Sequence, residues 1–246
     1  MHDFIRIVVL GTGQMGSGIA RLLLEKPGLE LAAVYARREQ RGGLDLGPLL
    51  GLDKELGITV SNDLEAMLEK ARPHIAIQAT CSRLADAADE ITTLIRHGVR
   101  VISIAEEMAF PAASSPALAK QIHHLASANR VAVLGTGINP GFILDLLVIA
   151  LSGVCADIRS ITARRVNDLS PYGVTVLKSQ GVGLTPEAFQ AGLENKTVVG
   201  HIGFIESIQM IATALGWDIE RIEENREAIV TRVRRETPFI SIEPGQ

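Results

Sequence analysis

Short apolar runs rich in β-branched residues alternate with helix-period segments through the first half of the chain. Ile5-Arg6-Ile7-Val8-Val9-Leu10 reads as a buried strand, and the segment from Met15 to Lys26 sets Ile19, Leu22 and Leu23 on one helix face before stopping at Pro27-Gly28. Leu31 to Tyr35 is a second strand and Ile58 to Val60 a short third. A helix from Asp63 to Ala71 follows, with Leu64, Met67 and Leu68 as its apolar stripe. Ile75 to Ala79 makes a fourth strand, and a helix from Ala85 to His97 ends at Gly98, a residue suited to a left-handed cap. Val99 to Ile104 is a fifth strand. Ser115-Pro116 supplies an N-cap and a first-turn proline for a helix running to Asn129, and Val131 to Leu134 is a sixth strand. Strands alternating with helices predict a parallel sheet with right-handed crossovers. The weakly patterned stretch from Arg37 to Gly57 is long for a connection and is expected to be a functional loop.

The pattern changes after Gly141. A strongly apolar helix is expected over Phe142 to Leu151, then longer and more charged strand-like stretches at Ile158 to Val166, Arg226 to Val233 and Phe239 to Ile242. Between them lie a capped helix opening at Thr185-Pro186-Glu187 and another from Ile202 to Leu215. The predicted fold class is therefore α/β, a Rossmann-type parallel sheet followed by an α+β part with an open sheet. The expected division is residues 1–141 for dinucleotide binding and 142–246 for substrate binding and oligomerisation.

Composition narrows the classes of function. Of 246 residues, 47% are hydrophobic and 21% charged, which fits a globular protein. A formal net charge of −4 provides no basic stripe for nucleic-acid phosphates and none for an anionic membrane surface. Two cysteines, Cys81 and Cys155, are too few for a disulfide framework or a metal ligand set, so no metal is expected. No apolar run reaches the ~18 residues that span a bilayer. Met1-His2-Asp3 leads straight into the first strand without a basic leader, and a cytoplasmic location is expected.

Gly11-Thr12-Gly13-Gln14-Met15-Gly16 sits between the first strand and the first helix, the context a dinucleotide-binding glycine turn requires. Gly11 permits the tight turn, Gly13 lets a pyrophosphate approach the backbone, and Gly16 lets helix and sheet pack closely. The helix N-terminus, with free N–H groups, faces the phosphates. After the second strand, where an NAD enzyme places a carboxylate for the ribose hydroxyls, this chain has Arg37-Arg38, and guanidinium groups there favour the 2′-phosphate of NADP, with NAD the alternative.

Ligands of such sheets bind beyond the carboxyl ends of the strands. Strand four ends in Ala79-Thr80-Cys81-Ser82, small and hydroxylated, suited to lining ribose and nicotinamide, with Cys81 a small thiol beside the cofactor. Strand five ends in Ser103-Ile104-Ala105-Glu106-Glu107, where Ala105 joins the cofactor set and the adjacent carboxylates call for something cationic opposite. Strand six ends in a glycine-rich turn that presents Asn139, a hydrogen-bond partner for the nicotinamide carboxamide or a substrate group, together with Pro140 and Phe142. Of six histidines, His201 at a helix start is kept as a substrate-site candidate. No G-x-S-x-G, zinc-ligand cluster or Walker loop appears, so hydrolase, metalloenzyme and NTPase readings lack support.

These strings resemble the NAD(P)-dependent amine dehydrogenases of the 2,4-diaminopentanoate dehydrogenase type, a branch of the dihydrodipicolinate-reductase-like fold. The resemblance rests on the glycine turn, Ala79-Thr80-Cys81-Ser82, Ser103 to Pro111, Leu134 to Phe142, Gly200-His201-Ile202-Gly203 with Glu206-Ser207, and Gly216-Trp217. It implies reversible oxidative deamination of a small amine or diamine to a ketone and ammonia, with Glu106 or Glu107 as the carboxylate that accepts the ammonium proton. It also implies a chain that lacks roughly the last hundred residues of the usual two-domain length, while an exposed second-domain sheet favours a homodimer. Two rival readings stand beside it. A dihydrodipicolinate reductase-like enzyme would carry its paired histidines in a second-domain loop, whereas His123-His124 fall on a helix of the first half. The other rival is a catalytically silent NADP-binding protein.

Overall fold

The computed structural model describes residues 4–246; Met1-His2-Asp3, read as free of a basic leader, lie outside the described residues. The order of elements is β1 (Ile5–Leu10), α1 (Gln14–Glu25), β2 (Leu29–Tyr35), α2 (Leu46–Leu49), β3 (Val60–Ser61), α3 (Leu64–Ala71) and β4 (Ile75–Gln78). Then come α4 (Leu84–Arg96), β5 (Arg100–Ser103), a 3-10 turn (Glu106–Ala109), α5 (Pro111–Ser114), α6 (Pro116–Asn129) and β6 (Val133–Gly135). The six strands form one parallel sheet in the order β3-β2-β1-β4-β5-β6. Because side chains alternate along a strand, β1 feeds both faces. Val8 and Leu10 join Leu84, Ile91, Leu94 and Ile95 of α4 on one side, and Ile7 and Val9 join Ala20 and Leu23 of α1 on the other.

Register aligns the carboxyl ends of the strands. Leu10 pairs with Tyr35 and Gln78, Gln78 with Ser103, and Ser103 with Gly135. The residues that follow these ends therefore emerge along one edge of the sheet. The order in which strands are added reverses between β1 and β4, the switch point where open sheets of this kind place their ligands.

The stretch from Arg37 to Gly57 is folded rather than loose. Asp45 accepts hydrogen bonds from Gly47 N at 2.7 Å and Leu56 N at 2.9 Å, and Leu46 and Leu50 are buried in the α1-side core. Only its first residues, through Arg41, reach the ligand edge.

After β6 the chain forms α7 (Leu146–Ser152), α8 (Val174–Ser179), α9 (Pro186–Glu194), α10 (Phe204–Leu215) and a small antiparallel pair, β7 (Arg235–Glu236) with β8 (Ser241–Ile242). The apolar helix starts at Leu146 rather than Phe142, because Asp145 accepts from Leu146 N at 2.6 Å and so caps it. Ile158 to Val166 and Arg226 to Val233 form no strand. Among the described residues the first has no backbone hydrogen-bond partner and the second only a single tie, Thr231 N to the Gln246 carbonyl at 2.9 Å with the Thr231 carbonyl accepting from Gly245 N at 3.0 Å; Val166 is 99% and Ile229 97% exposed. Of the three expected strands only the end of Phe239 to Ile242 is paired. The helix α10 packs on α5, α7 and the 3-10 turn, which sets its N-terminus beside Glu106-Glu107.

Candidate active site

At the switch point the glycine turn is held against the end of β4. Gly11 has φ +116°, and a Cβ there would stand 2.4 Å from the Ala79 carbonyl oxygen. A Cβ on Gly16 would stand 2.0 Å from the Gly11 carbonyl oxygen, so the helix start closes directly on the turn. No protein atom lies within 4 Å of a Cβ position on Gly13, which leaves that face of the loop open. Gly13 is also the N-cap of α1 and has no side-chain acceptor, so the first-turn N–H groups are free for an anion. A cavity of about 420 Å³ lies over this turn, lined by Gly11, Thr12, Gly13 and Gln14 with Arg38, Arg41 and Thr80. Open glycine face, uncapped helix end and cationic wall together fit a dinucleotide. Met15 instead points outward, 60% exposed, and Gly16 is buried.

Arg37 lines the same cavity but is committed elsewhere. Its Nε donates to Glu90 at 2.6 Å and its Nη2 to the Asp86 carbonyl at 2.6 Å. Glu90, almost wholly buried on α4, also accepts from Thr80 Oγ1 at 2.6 Å and Gln78 Nε2 at 3.3 Å, and Gln78 in turn accepts from Ser103 Oγ at 2.6 Å. The hydrogen bond that Arg37 donates to Glu90, opposed by burial, raises the Arg37 pKa. This network ties the ends of β2, β4 and β5 to α4, and Cys81, half-buried, touches it through Gln78 and Arg37. Arg38 and Arg41 make no side-chain hydrogen bond among the described residues and remain available to a ligand.

From the glycine turn the edge continues along the segment after β4. Thr80 lines the glycine-turn cavity, and Arg83 lines a second, neighbouring cleft of about 620 Å³ between that edge and α10. Ser82 links the two: its carbonyl accepts from Glu107 N at 3.2 Å. Glu107 lines the second cleft, and its Oε2 accepts from Leu84 N at 2.8 Å. The first N–H of α4, which its own N-cap Arg83 does not satisfy, thus holds the carboxylate in place and stabilises its negative charge. Glu106 is half-buried and lines neither cavity, and Ala105 is buried in the core.

Across the cleft stand His201, Ile202 and Gly203 before α10, and Glu206 in its first turn. Asn139 Nδ2 lies 3.0 Å from His201 Nε2, and Asn139 Oδ1 is buried with no partner. His201 also meets Phe204 edge-on, ring centroids 4.8 Å apart. Burial, then the charge of Arg165, push the His201 pKa below its ordinary 6.5, with Glu224 opposing. A neutral imidazole accepts from Asn139; an imidazolium cannot. Pro140 is buried where its ring abuts Gly203, and Phe142 is exposed and lines neither cavity. The turn is fastened by Asp145, fully buried, which accepts from Gly141 N at 2.7 Å and Ser207 Oγ at 2.9 Å as well as from Leu146 N. Sequence reasoning did not single out Arg41, Glu90 or Asp145, although Asp145 was visible as a lone charge inside an apolar run and Glu90 as a charge on the apolar face of its helix, between Ala87 and Leu94.

The lowered His201 pKa gives a signed expectation. Unfolded chains bind the proton first as pH falls below 6.5, so this contribution to stability is complete above 6.5 and is lost below it, towards the folded pKa. Melting temperature followed through that interval is expected to fall more steeply for the wild type than for His201→Gln; parallel curves would contradict it.

Residues 142–246 match the family model described as 2,4-diaminopentanoate dehydrogenase C-terminal domain, and residues 5–104 match that of the dihydrodipicolinate reductase N-terminus. The chain is 41% identical to 2,4-diaminopentanoate dehydrogenase of Acetoanaerobium sticklandii over 96% of its own length and 67% of that protein. It is 31% identical to an amine dehydrogenase of Streptomyces virginiae, over 95% of this chain and 66% of the other. The solved amine dehydrogenase from Mycobacterium smegmatis superimposes with a TM-score of 0.79 at 28% identity, covering 100% of this chain and 73% of that one. The chain thus spans about two thirds of the length of the curated relatives it matches. Similarity to 4-hydroxy-tetrahydrodipicolinate reductases, such as that of Methanococcus maripaludis at 30% identity, extends over only 40% of the chain. With both parts of the chain matched and the cleft between the glycine turn and α10 in view, the chain belongs to the 2,4-diaminopentanoate dehydrogenase family of amine dehydrogenases.

Proposed function

We propose that this protein is a nicotinamide-dependent oxidoreductase that interconverts a small amine, of the 2,4-diaminopentanoate kind, with the corresponding ketone and ammonia, and that it prefers NADP. Residues 1–141 hold the cofactor and residues 142–246 close over the substrate. The observation that carries this reading is Glu107, whose carboxylate lines the cleft next to the glycine-turn cavity while the N-terminus of α4 fixes one of its oxygens.

When bound, the nicotinamide supplies the hydride acceptor for oxidation and the donor for the reverse reaction. An ammonium carbon has no lone pair beside it and cannot release hydride until a proton leaves nitrogen. Glu107, whose Oε1 has no hydrogen-bond partner among the described residues, accepts that proton and then faces the iminium as positive charge develops. Water adds to the iminium, the same carboxylate shuttles a proton to the departing nitrogen, and ammonium leaves. In sum, substrate ammonium, oxidised cofactor and water give ketone, ammonium, reduced cofactor and one proton. Asn139, anchored through neutral His201, presents its unpartnered Oδ1 as an acceptor for an amide N–H or an ammonium.

The NADP preference rests on Arg38 and Arg41, free guanidinium groups on the cavity wall with no carboxylate at the end of β2. Replacing either with Ala is expected to weaken NADP binding roughly 10-fold or more, the worth of a charge-assisted hydrogen bond, with NAD affected far less. Arg37→Ala is expected instead to lower the melting temperature and to weaken both cofactors alike, because it strips Glu90 of its cation. Fluorescence titration with each cofactor checks this; equal losses of NADP and NAD in the Arg38 and Arg41 variants would refute it. The exposed apolar side chains Leu146, Leu147 and Leu151 of α7 support a homodimer, and use of the shared nicotinamide pool supports a cytoplasmic location.

The enzyme reading is tested by absorbance at the reduced-nicotinamide band on mixing the protein with NADP and 2,4-diaminopentanoate, and in reverse with ketone and ammonia. Reduction of NADP dependent on the amine is expected. Cofactor binding with no turnover of any amine would leave only a silent binding protein.

A further inference from the structure

We propose that Glu206 is the anchor for a second cationic group of the substrate, and so the residue by which the site prefers a diamine to a monoamine; this rests on the amine dehydrogenase reading. Glu206 sits in the first turn of α10, on the wall of the same cleft as Glu107, and is only 2% exposed. At this position a carboxylate commonly folds back to cap its own helix. Here it does not: Gly203 at the N-cap has no side-chain bond, and Glu206 Oε1 takes a hydrogen bond from the hydroxyl of Ser114 on α5. Its other oxygen has no hydrogen-bond partner among the described residues, and no arginine, lysine or histidine forms an ion pair with it.

A carboxylate this deeply buried, with its second oxygen reached only from the cleft, favours a cation there, and a single neutral hydroxyl does not supply one. The basic residues of the cleft do not fill the role. Arg226 is paired with Glu224 at 3.3 Å, and Arg83 and Lys196 line the same cleft but, among the described residues, form no ion pair with Glu206. These cations suit a carboxylate on the ligand, whereas Glu206 suits an ammonium. With Glu107 serving the reacting nitrogen, Glu206 is left for the one that does not react. Ser114 then acts as a positioning residue, holding Oε1 so that Oε2 is turned to the ligand.

The test compares 2,4-diaminopentanoate with 2-aminopentane in wild type, Glu206→Gln and Glu206→Asp, with thermal melting to establish folding. The preference for the diamine, as the ratio of kcat/KM values, is expected to fall about 10- to 100-fold in Glu206→Gln, mostly through KM, and to be partly kept in Glu206→Asp. An unchanged ratio, whether both amines lose activity equally or neither does, would overturn the assignment. If the wild type oxidises neither amine, the enzyme reading fails separately, and calorimetric titration of the same two amines decides for Glu206. Diamine binding that is lost in Glu206→Gln supports the anchor; equal affinity in both proteins, or no binding to the wild type, removes it.

Discussion

Glu107→Gln is expected to lower kcat for amine oxidation by roughly 10²- to 10⁴-fold, the usual range for removing a general base, while cofactor affinity stays within a few-fold of wild type. The amide keeps an oxygen for Leu84 N, so the cap on α4 survives and the loss falls on proton transfer rather than on folding. Glu106→Gln is expected to retain far more activity, since Glu106 lines neither cavity. Rapid mixing of each variant with NADP and amine, followed by absorbance, reads both constants. Comparable losses in the two variants would remove Glu107 from its role.

Asp145→Ala is expected to be the most destabilising single change proposed. The carboxylate is fully buried and accepts from two part-buried backbone N–H groups and the buried Ser207 hydroxyl, and its removal leaves three donors without that partner. At about 1–3 kcal/mol for each orphaned group the full sum is roughly 3–9 kcal/mol; because Gly141 N and Leu146 N are only part-buried the lower half applies, about 3–6 kcal/mol, or on the order of 10 °C in melting temperature for a chain of this size. The same change frees the turn that carries Asn139 from α10, so KM for the amine should rise as well. Thermal unfolding followed by circular dichroism checks the first effect; a shift of only a degree or two would show that the three donors find other partners.

The first half of the fold was legible because its signals are local and agree with one another. β1 is buried on both faces, Gly98 adopts the left-handed conformation expected of a cap, and Ser115-Pro116 opens α6. What pattern could not separate was the two neighbouring arginines. Arg37 and Arg38 are the same residue type side by side, and only the fold shows that Glu90, a charge within the apolar stripe Ala87, Ile91 and Leu94, meets the first and leaves the second free. Glu106 and Glu107 posed the same ambiguity, resolved by which of them the N-terminus of α4 meets.

Beyond Gly141 the reading was weaker for a different reason. Strand propensity in Ile158 to Val166 and Arg226 to Val233 becomes a strand only beside a continuous partner, and among the described residues the first has none and the second meets Gly245 and Gln246 at Thr231 alone. Conversely Val174-Thr175-Val176 looks strand-like, yet these residues open α8. Glu206 was visible within a string shared with the family, but its burial and its turn away from its own helix are tertiary facts.

A crystal structure with NADP bound measures the central relation directly. The account requires the pyrophosphate on the Gly11 to Gly16 turn and the nicotinamide ring facing Glu107 across a gap that one amine carbon fills. A ring directed away from the cleft of Glu107, with the dinucleotide still seated on the glycine turn, would contradict it.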